Sequence, residues 1–303
     1  MSHHGHHHID PEAGDRRVAF AILVNLGLTA AQVIGGVLAG SLALIADALH
    51  NFSDAVALII AFGARKIARR PADPDMTFGY GRAEAIAALV NYVTLIIVGV
   101  YLVYEAMTRF ITPQGVDGWL VVVIAGVALA VDLITALLTY RLSKTSINIR
   151  AAFLHNVADA LGSVAVIVAG ALILLYDWRL VDPIVTLLIA GYILWQAARE
   201  IGAVIRILML GSPPKLDSSE VAARIRAVEG VRSAHHIHLW QMDEHESALE
   251  AHIVLTDEAA GRATEVRTAI KARLRGEFGI GHSTLEMEAG DDACAETQVF
   301  GHS

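Results

Sequence analysis

The chain has 303 residues and a formal net charge of −8, and 55% of its residues are hydrophobic while only 18% are charged. Its mean hydropathy of +0.52 is too high for a soluble domain of this size, so the composition excludes an ordinary soluble protein and indicates a membrane protein. The acidic balance gives no reason to expect nucleic acid as a partner, because nucleic-acid binding favours a basic surface.

The first fifteen residues, MSHHGHHHIDPEAGD, are polar and rich in histidine, and we predict that residues 1–15 are disordered. The histidine run is consistent with either a native metal-gathering tail or an added tag. We expect no secretory signal peptide, because the apolar run that follows is too long and has no small-residue cleavage site after it.

Six stretches beyond this segment are candidates for membrane spans, because a transmembrane helix needs about 20 mostly apolar residues. They lie at about 18–39, 42–64, 84–108, 117–139, 150–175 and 180–205. We therefore predict an α-helical membrane domain of six transmembrane helices over residues 16–210. With a cytoplasmic N-terminus, twelve Lys or Arg residues lie on the cytoplasmic side of these spans and only Arg109 and Arg179 lie outside. This asymmetry predicts that both termini are cytoplasmic.

The rest of the chain is polar and acidic, with nine Lys or Arg against sixteen Asp or Glu over residues 211–303. Its pattern predicts a helix, two strands, a second helix and a third strand. The first helix begins at Asp217, which stands three residues before Glu220 as in a capping box. This order predicts a cytoplasmic α+β domain over residues 211–290, with helices on one sheet, followed by a C-terminal tail over 291–303.

Two matching motifs lie inside the apolar spans. The segment ALHNFSDA places His50 four residues before Asp54, and FLHNVADA places His155 four residues before Asp159. Residues four apart share one face of a helix, so each of the two helices presents one imidazole and one carboxylate. Together they supply four ligands, the number that tetrahedral Zn²⁺ prefers. Co²⁺, Cd²⁺, Fe²⁺ or Mn²⁺ would also accept these ligand types, although the two histidines favour zinc.

The cost of burying these groups favours a transport role for the quartet. Each charged side chain at the middle of a bilayer costs at least about 2.5–3.5 kcal/mol, and such residues usually mark a substrate pathway. The alternative is that they only join helices by hydrogen bonds. A site with two carboxylates and no metal should take up protons, so metal and protons compete for the same groups. Alternating exposure of the site would produce a proton-coupled metal exchanger, which an inward proton gradient would drive toward export.

Two further acids lie in the spans. Asp47 stands one turn before His50, where it could orient the second ring nitrogen of that histidine, relay protons, or be an ordinary hydrogen-bonded polar residue. Asp132 in the fourth span has no obvious partner in the sequence.

The C-terminal domain offers candidates for a second metal site. His235 and His252 fall on predicted neighbouring strands and Glu288 ends the third strand, so the three side chains could converge. We expect His236, His245 and His282 to face solvent.

Four segments of the chain resemble the cation diffusion facilitator family, in particular its zinc-exporting branch. They are GSLALIADALHNFSDAVAL, RRPADPDMTFGYGRAEAIAAL, FLHNVADALGS and GVRSAHHIHLW. The resemblance implies a homodimer of six-helix protomers in a lipid bilayer, and we expect a bacterial cell membrane. It implies a transport site formed by His50, Asp54, His155 and Asp159, with Zn²⁺ as the transported substrate and protons as the counter-ion. It also implies a ferredoxin-like cytoplasmic domain that binds metal as a regulatory ligand and aids dimerisation.

The chain departs from this family at two places. Some relatives carry a metal site in the loop before the third span, but here only Asp73 remains, while Met76 and Tyr80 stand in place of histidines. We predict that this loop site is absent. Some members also join their protomers through a basic residue at the start of span three and an acid at the end of span six. Arg82 matches the first, whereas the segment LMLGSPP has no acid for the second.

Two other functions stay open. A membrane metalloenzyme is disfavoured because the sequence has no HExxH motif and no Glu-x-x-His pair in a span. A membrane metal sensor that moves no ion would use the C-terminal domain as its active part. The single cysteine, Cys294, excludes an intrachain disulfide and fits a reducing compartment.

Overall fold

A computed structural model describes residues 26–143, 147–288 and 298–301. Its apolar helices are α1 (Leu26–Ala39), α2 (Leu42–Ala68), α3 (Ala83–Ile111), α4 (Gly118–Ser143), α5 (Ile147–Tyr176) and α6 (Val181–Leu208). Helices α2 to α6 are long and apolar enough to cross a membrane, and α1 is the described part of the first predicted span. The predicted six-helix membrane domain is therefore confirmed. The histidine-rich start of the chain and Cys294 lie outside the described residues.

The connections between the first helices are tight because the sequence supplies the residues that a sharp turn requires. Gly40 joins α1 to α2 with a φ of +68°, and a Cβ atom added there would lie 2.6 Å from the carbonyl oxygen of Gly115. Only glycine fits such a position without strain. Asp117 is the N-cap of α4: its carboxylate accepts hydrogen bonds from the N–H groups of Trp119 and Leu120, both at 3.1 Å.

Helices α4 and α5 approach each other through small residues. A Cβ atom on Gly118 would lie 2.5 Å from the carbonyl oxygen of Gly170, so the two backbones are in close contact there. Ala125 and Ala169 are fully buried in the same cluster. Small residues allow membrane helices to pack closely, and this packing holds α5 beside α4.

A buried acid fixes the start of α2. The carboxylate of Asp182, at the start of α6, accepts hydrogen bonds from Ser41 Oγ at 2.6 Å and from the N–H groups of Leu42 and Ala43 at 2.9 and 3.2 Å. It also pairs with Arg109 Nη1 at 3.4 Å. These contacts satisfy orphan donors at the N-terminus of α2 and fix the helix two turns before His50.

The C-terminal part folds as α7 (Ser218–Arg226), β1 (Val231–Gln241), β2 (Ser247–Leu255), a 3-10 turn (Asp257–Arg262), α8 (Ala263–Phe278) and β3 (His282–Glu288). This order confirms the predicted helix–strand–strand–helix–strand arrangement. Strand β2 is central, antiparallel to β1 and parallel to β3. Buried Ile225, Ile270 and Leu274 of the helices share one apolar core with Leu249 and Ile253 of the sheet.

Backbone contacts divide the chain into two units. Of the described residues, those from 26 to 60 and within Val90–Glu200 form one unit, and those within Ala61–Leu89 and from Ile201 onward form the other. The end of α2, the start of α3 and the loop between them therefore belong with the C-terminal unit. The predicted domain limits at 16–210 and 211–290 stay predictions.

Candidate functional site

The structure brings all four residues of the paired motif together. His155 Nε2 lies 3.2 Å from Asp54 Oδ2 and 3.5 Å from Asp159 Oδ2. His50 Nε2 lies 3.5 Å from Asp159 Oδ1 and 3.8 Å from Asp54 Oδ2. Each carboxylate thus contacts one imidazole of its own helix and one of the facing helix. The result is a closed ring of four side chains in which histidine and aspartate alternate, with Asp159 contributing a different oxygen to each histidine.

The ring has the dimensions of a tetrahedral metal site. When metal–ligand bonds are about 2.0–2.1 Å long, neighbouring ligand atoms of a tetrahedron are about 3.3 Å apart. The ring edges of 3.2 to 3.8 Å lie close to that value. The ligand atoms of His50, Asp54 and Asp159 all lie within 4.8 Å of one another. His155 is not part of that set, and its ring centre lies 6.1 Å from that of His50, so four-ligand binding requires the His155 imidazole to move toward the other three.

The four residues of the ring differ in burial. His50 and Asp159 are buried, whereas the side chain of His155 is 38% exposed and that of Asp54 is 27% exposed. Asp54 Oδ2 and Asp159 Oδ1 are buried, and no hydrogen bond of ordinary geometry reaches them from the described residues. Two carboxylates beside two neutral imidazoles carry a charge of −2, which one divalent cation neutralises. The ring is more open at His155 and Asp54 than at His50 and Asp159.

Asp47 lies next to the ring and is held by side chains of α1 and α2. Its Oδ2 accepts a hydrogen bond from Gln32 Nε2 at 2.7 Å, and Gln32 Oε1 accepts one from Asn51 Nδ2 at 3.2 Å. Within the described residues, Nδ1 of His50 has no hydrogen-bond partner, so Asp47 does not orient that ring by a direct bond here. The sequence offered no signal for Gln32, because a single amide in an apolar run has no characteristic spacing.

Tyr192 of α6 is a second neighbour that the sequence did not indicate. Its ring centre lies 6.2 Å from that of His50, with the two rings nearly perpendicular. An edge-on aromatic contact of this kind restricts the imidazole orientation. It follows that α6 contributes to the geometry of the ring as well as α2 and α5.

The three residues predicted for a second site also meet. His252 Nδ1 lies 2.6 Å from Glu288 Oε1, and His235 Nε2 lies 3.6 Å from Glu288 Oε2. His235 and His252 are directly paired across β1 and β2. Burial lowers the pKa of His235, and the nearby Glu288 carboxylate opposes this only in part. A lowered pKa keeps the imidazole neutral near pH 7, the form in which it binds metal.

The expectation that His236 faces solvent is wrong. His236 is only 5% exposed, and its ring centre lies 4.9 Å from that of His235 and 5.0 Å from that of His252. The cause is a β-bulge between His235 and His238, where His236 adopts a φ of +47°. A bulge breaks the strict alternation of side chains, so two consecutive histidines point toward the same partner. His282 is exposed, as expected.

The loop before α3 is closed by Asp73 without any histidine. Its Oδ1 accepts hydrogen bonds from the N–H groups of Asp75 and Met76, and its Oδ2 accepts one from the Tyr80 hydroxyl at 2.7 Å. The Tyr80 hydrogen bond and the backbone donors lower the pKa of Asp73. Both oxygens of the one acid that remains from the family's loop motif are thus already engaged.

Two family models match the chain and together cover nearly all of it. The cation efflux transmembrane domain matches residues 18–209, and the cytoplasmic domain of cation efflux proteins matches residues 213–289. The chain belongs to the cation efflux family. The resemblance found in the sequence motifs is thereby confirmed, and so is the chain's nature as an integral membrane protein.

Several relatives match most or all of this chain. The zinc transporter ZitB of Escherichia coli is 34% identical and covers 100% of this chain and 99% of its own length. The metal cation efflux system protein CzcD of Cupriavidus metallidurans is 35% identical, with 94% and 90% covered. A cadmium, cobalt and zinc/H(+)-K(+) antiporter of Bacillus subtilis is 33% identical, with 94% and 92% covered. A solved structure of the metal-bound C-terminal domain of the CzcD transporter is 32% identical, covers 24% of this chain and 99% of its own, and has a TM-score of 0.23.

Proposed function

We propose that this protein is a proton-coupled antiporter that exports divalent metal cations from the cytoplasm. Its main substrate would be Zn²⁺, with Cd²⁺, Co²⁺ or Fe²⁺ as further substrates. The observation that carries the proposal is the ring of His50, Asp54, His155 and Asp159 between two membrane helices. The printed names of the relatives, which include a zinc transporter and a cadmium, cobalt and zinc antiporter, support the same substrate class.

The exchange follows from the charge of the ring. A divalent cation from the cytoplasm binds the two carboxylates and two neutral imidazoles and displaces the protons held there, because both compete for the same atoms. A change in the relative position of α2 and α5 then exposes the ring to the other side, where the cation leaves. The empty ring carries two negative charges in a poorly solvated place, so it takes up protons from that side before it returns.

The C-terminal unit would regulate this cycle. We assign His235, His236, His252 and Glu288 to a cytoplasmic metal site whose occupancy rises with cytoplasmic Zn²⁺. The short contacts among these groups and the burial of both β1 histidines support a built site. The same unit matches the family's cytoplasmic domain, which supports a homodimer with both termini in the cytoplasm of a bacterial cell.

Zinc flux into sealed proteoliposomes with an imposed pH gradient tests the proposal. Asp54→Asn and Asp159→Asn each remove a metal ligand with little change in shape. Loss of a group that only orients a ligand costs about 10–100-fold, so loss of a ligand itself should lower the flux by at least about 100-fold. The matched control is Asp177→Asn, which removes an exposed acid paired with Arg179 outside the ring and should leave the flux unchanged.

Three outcomes separate the candidate functions. Flux in the wild type that both ring variants lose supports an antiporter. Metal binding without flux in the wild type would favour a sensor, for which the buried histidines of the C-terminal unit are the specific observation. Full flux in either ring variant would remove that residue from the transport site.

A further inference from the structure

A third buried acid lies one helical turn beyond the metal ring. Asp132 of α4 is 8% exposed, and its Oδ2 accepts a hydrogen bond from Ser163 Oγ of α5 at 3.1 Å. Ser163 follows Asp159 by four residues, so both lie on the same face of α5, about 5.4 Å apart along its axis. The Asp132 carboxylate is therefore a neighbour of the ring and is directed toward the next turn of α5.

Asp47 approaches the same turn of α5 from α2. A Cβ atom added to Gly162 would lie 3.2 Å from Asp47 Oδ1, so this carboxylate rests on the glycine surface of α5. The stretch 159–163 of one helix is thus bordered by three carboxylates, those of Asp159, Asp132 and Asp47. The charged or titratable groups that act on Asp132 are Asp159 and His155 from α5 and Asp47 from α2.

The groups that donate hydrogen bonds to Asp132 and Asp47 are neutral. Asp132 receives a hydroxyl hydrogen bond from Ser163, and Asp47 receives an amide hydrogen bond from Gln32. Among the described residues, no Lys or Arg forms an ion pair with either acid. A carboxylate buried among membrane helices without a cation is unstable as an anion, so it binds a proton instead.

We propose that Asp132 is a proton-carrying residue of the transport cycle, distinct from the metal ligands, which releases its proton when a divalent cation enters the ring. This inference rests on the proposed antiport function. A metal-free ring that holds fewer than two protons keeps a net negative charge, whereas a ring that holds a divalent cation is neutral. Filling the ring removes the repulsion that disfavours an ionised Asp132, since unit charges interact strongly at such separations in a poorly solvated site.

A purely structural role predicts a different behaviour. The Ser163–Asp132 hydrogen bond links α4 to α5, and asparagine would keep that link because its carbonyl oxygen accepts the same bond. Asp132→Asn is therefore close to isosteric, and it removes only the capacity to bind and release a proton. If Asp132 served packing alone, this variant would match the wild type in every coupled measurement.

The test measures protons released per zinc bound by the full-length protein. Zn²⁺ is added in weakly buffered solution between about pH 6 and 8, with a pH dye for proton release and calorimetry for zinc affinity. We expect Asp132→Asn to keep the zinc affinity within about threefold while it releases about one proton fewer per zinc. Ser163→Ala keeps the acid but removes the donor that stabilises its ionised form, so the proton-release step should move to higher pH.

Unchanged proton release in Asp132→Asn across this range would overturn the proposal. If that variant is not recovered as a monodisperse protein, the Ser163→Ala profile decides, and an unshifted profile overturns the proposal equally. Zinc flux in Asp54→Asn separates this idea from the parent function. Retained flux in Asp54→Asn contradicts the antiport site itself, whereas loss of flux in Asp54→Asn with unchanged proton release in Asp132→Asn contradicts only the role of Asp132.

Discussion

Replacing Asp182 with alanine should destabilise the membrane unit strongly, although Asp182 contacts no ring residue. Its carboxylate is 1% exposed, accepts hydrogen bonds from Ser41 and the first N–H groups of α2, and pairs with Arg109 at 3.4 Å. Removing it leaves the buried guanidinium of Arg109 without its buried carboxylate partner, with the Gly40 carbonyl as a remaining acceptor, and leaves the N–H groups of Leu42 and Ala43 without their acceptor. Breaking a buried ion pair by removing one partner costs about 3–5 kcal/mol. For a unit of about 150–250 residues, each kcal/mol lowers the melting temperature by about 2–4 °C, so a drop on the order of 10 °C is expected.

The assay heats the purified protein in detergent and measures the fraction that stays monodisperse by size-exclusion chromatography. Variants are compared at one heating rate, because such unfolding is commonly irreversible. Asp177→Ala is the control, since it removes an acid that pairs with Arg179 at 2.8 Å on the exposed surface, where solvent screens the interaction. If the Asp182 and Asp177 variants melt at the same temperature, the assignment of Asp182 as the group that fixes the start of α2 is refuted.

Further predictions concern the C-terminal unit and its loop. His236→Ala should weaken zinc binding at the C-terminal site by about 10–100-fold, measured by calorimetry in an Asp54→Asn background. The control is His282→Ala, which changes an exposed histidine and should leave the zinc affinity unchanged. If the two variants bind zinc equally well, His236 is not part of the site. Acidification should release metal from this site, because protons compete with the metal for the imidazoles. The lowered pKa of His235 keeps its imidazole neutral to a lower pH than usual, so the release should occur at a correspondingly low pH. A zinc titration repeated at falling pH checks this. Tyr80→Phe should raise the pKa of Asp73 toward its ordinary value, because the phenol hydrogen bond favours the ionised form; an unchanged carboxyl titration by NMR would contradict the contact.

The sequence was sufficient for the ring because its signal is local and periodic. His50 and Asp54, like His155 and Asp159, stand four residues apart in apolar runs, and a helix alone places such a pair on one face. Helix amphipathicity and strand alternation likewise predict the order of elements in the C-terminal unit. These features depend on neighbours along the chain, which a single sequence contains.

The residues that the sequence did not reveal depend on contacts between distant segments. Gln32 acquires its role only when α1 lies against α2, and Asp182 becomes a helix cap for residues that precede it by 140 positions. His236 is buried because β1 bulges where it pairs with β2, and no alternation pattern contains that shift. The roles of these residues are set by contacts between segments that are distant in the sequence, so local periodicity does not predict them.

The alternating order of the ring explains why a movement of helices can control metal binding. The site depends on contacts between the two helices, because Asp54 lies closer to His155 of the facing helix, at 3.2 Å, than to His50 of its own helix, at 3.8 Å. Contacts within a helix survive any rigid displacement of that helix, whereas contacts between helices do not. A shift of α5 along α2 by about one helical turn, 5.4 Å, would therefore break the cross-helix edges and leave two bidentate fragments of one His and one Asp each. Each fragment binds a divalent cation more weakly than the closed ring, so sliding of two packed helices is sufficient to convert a tight site into a releasing one.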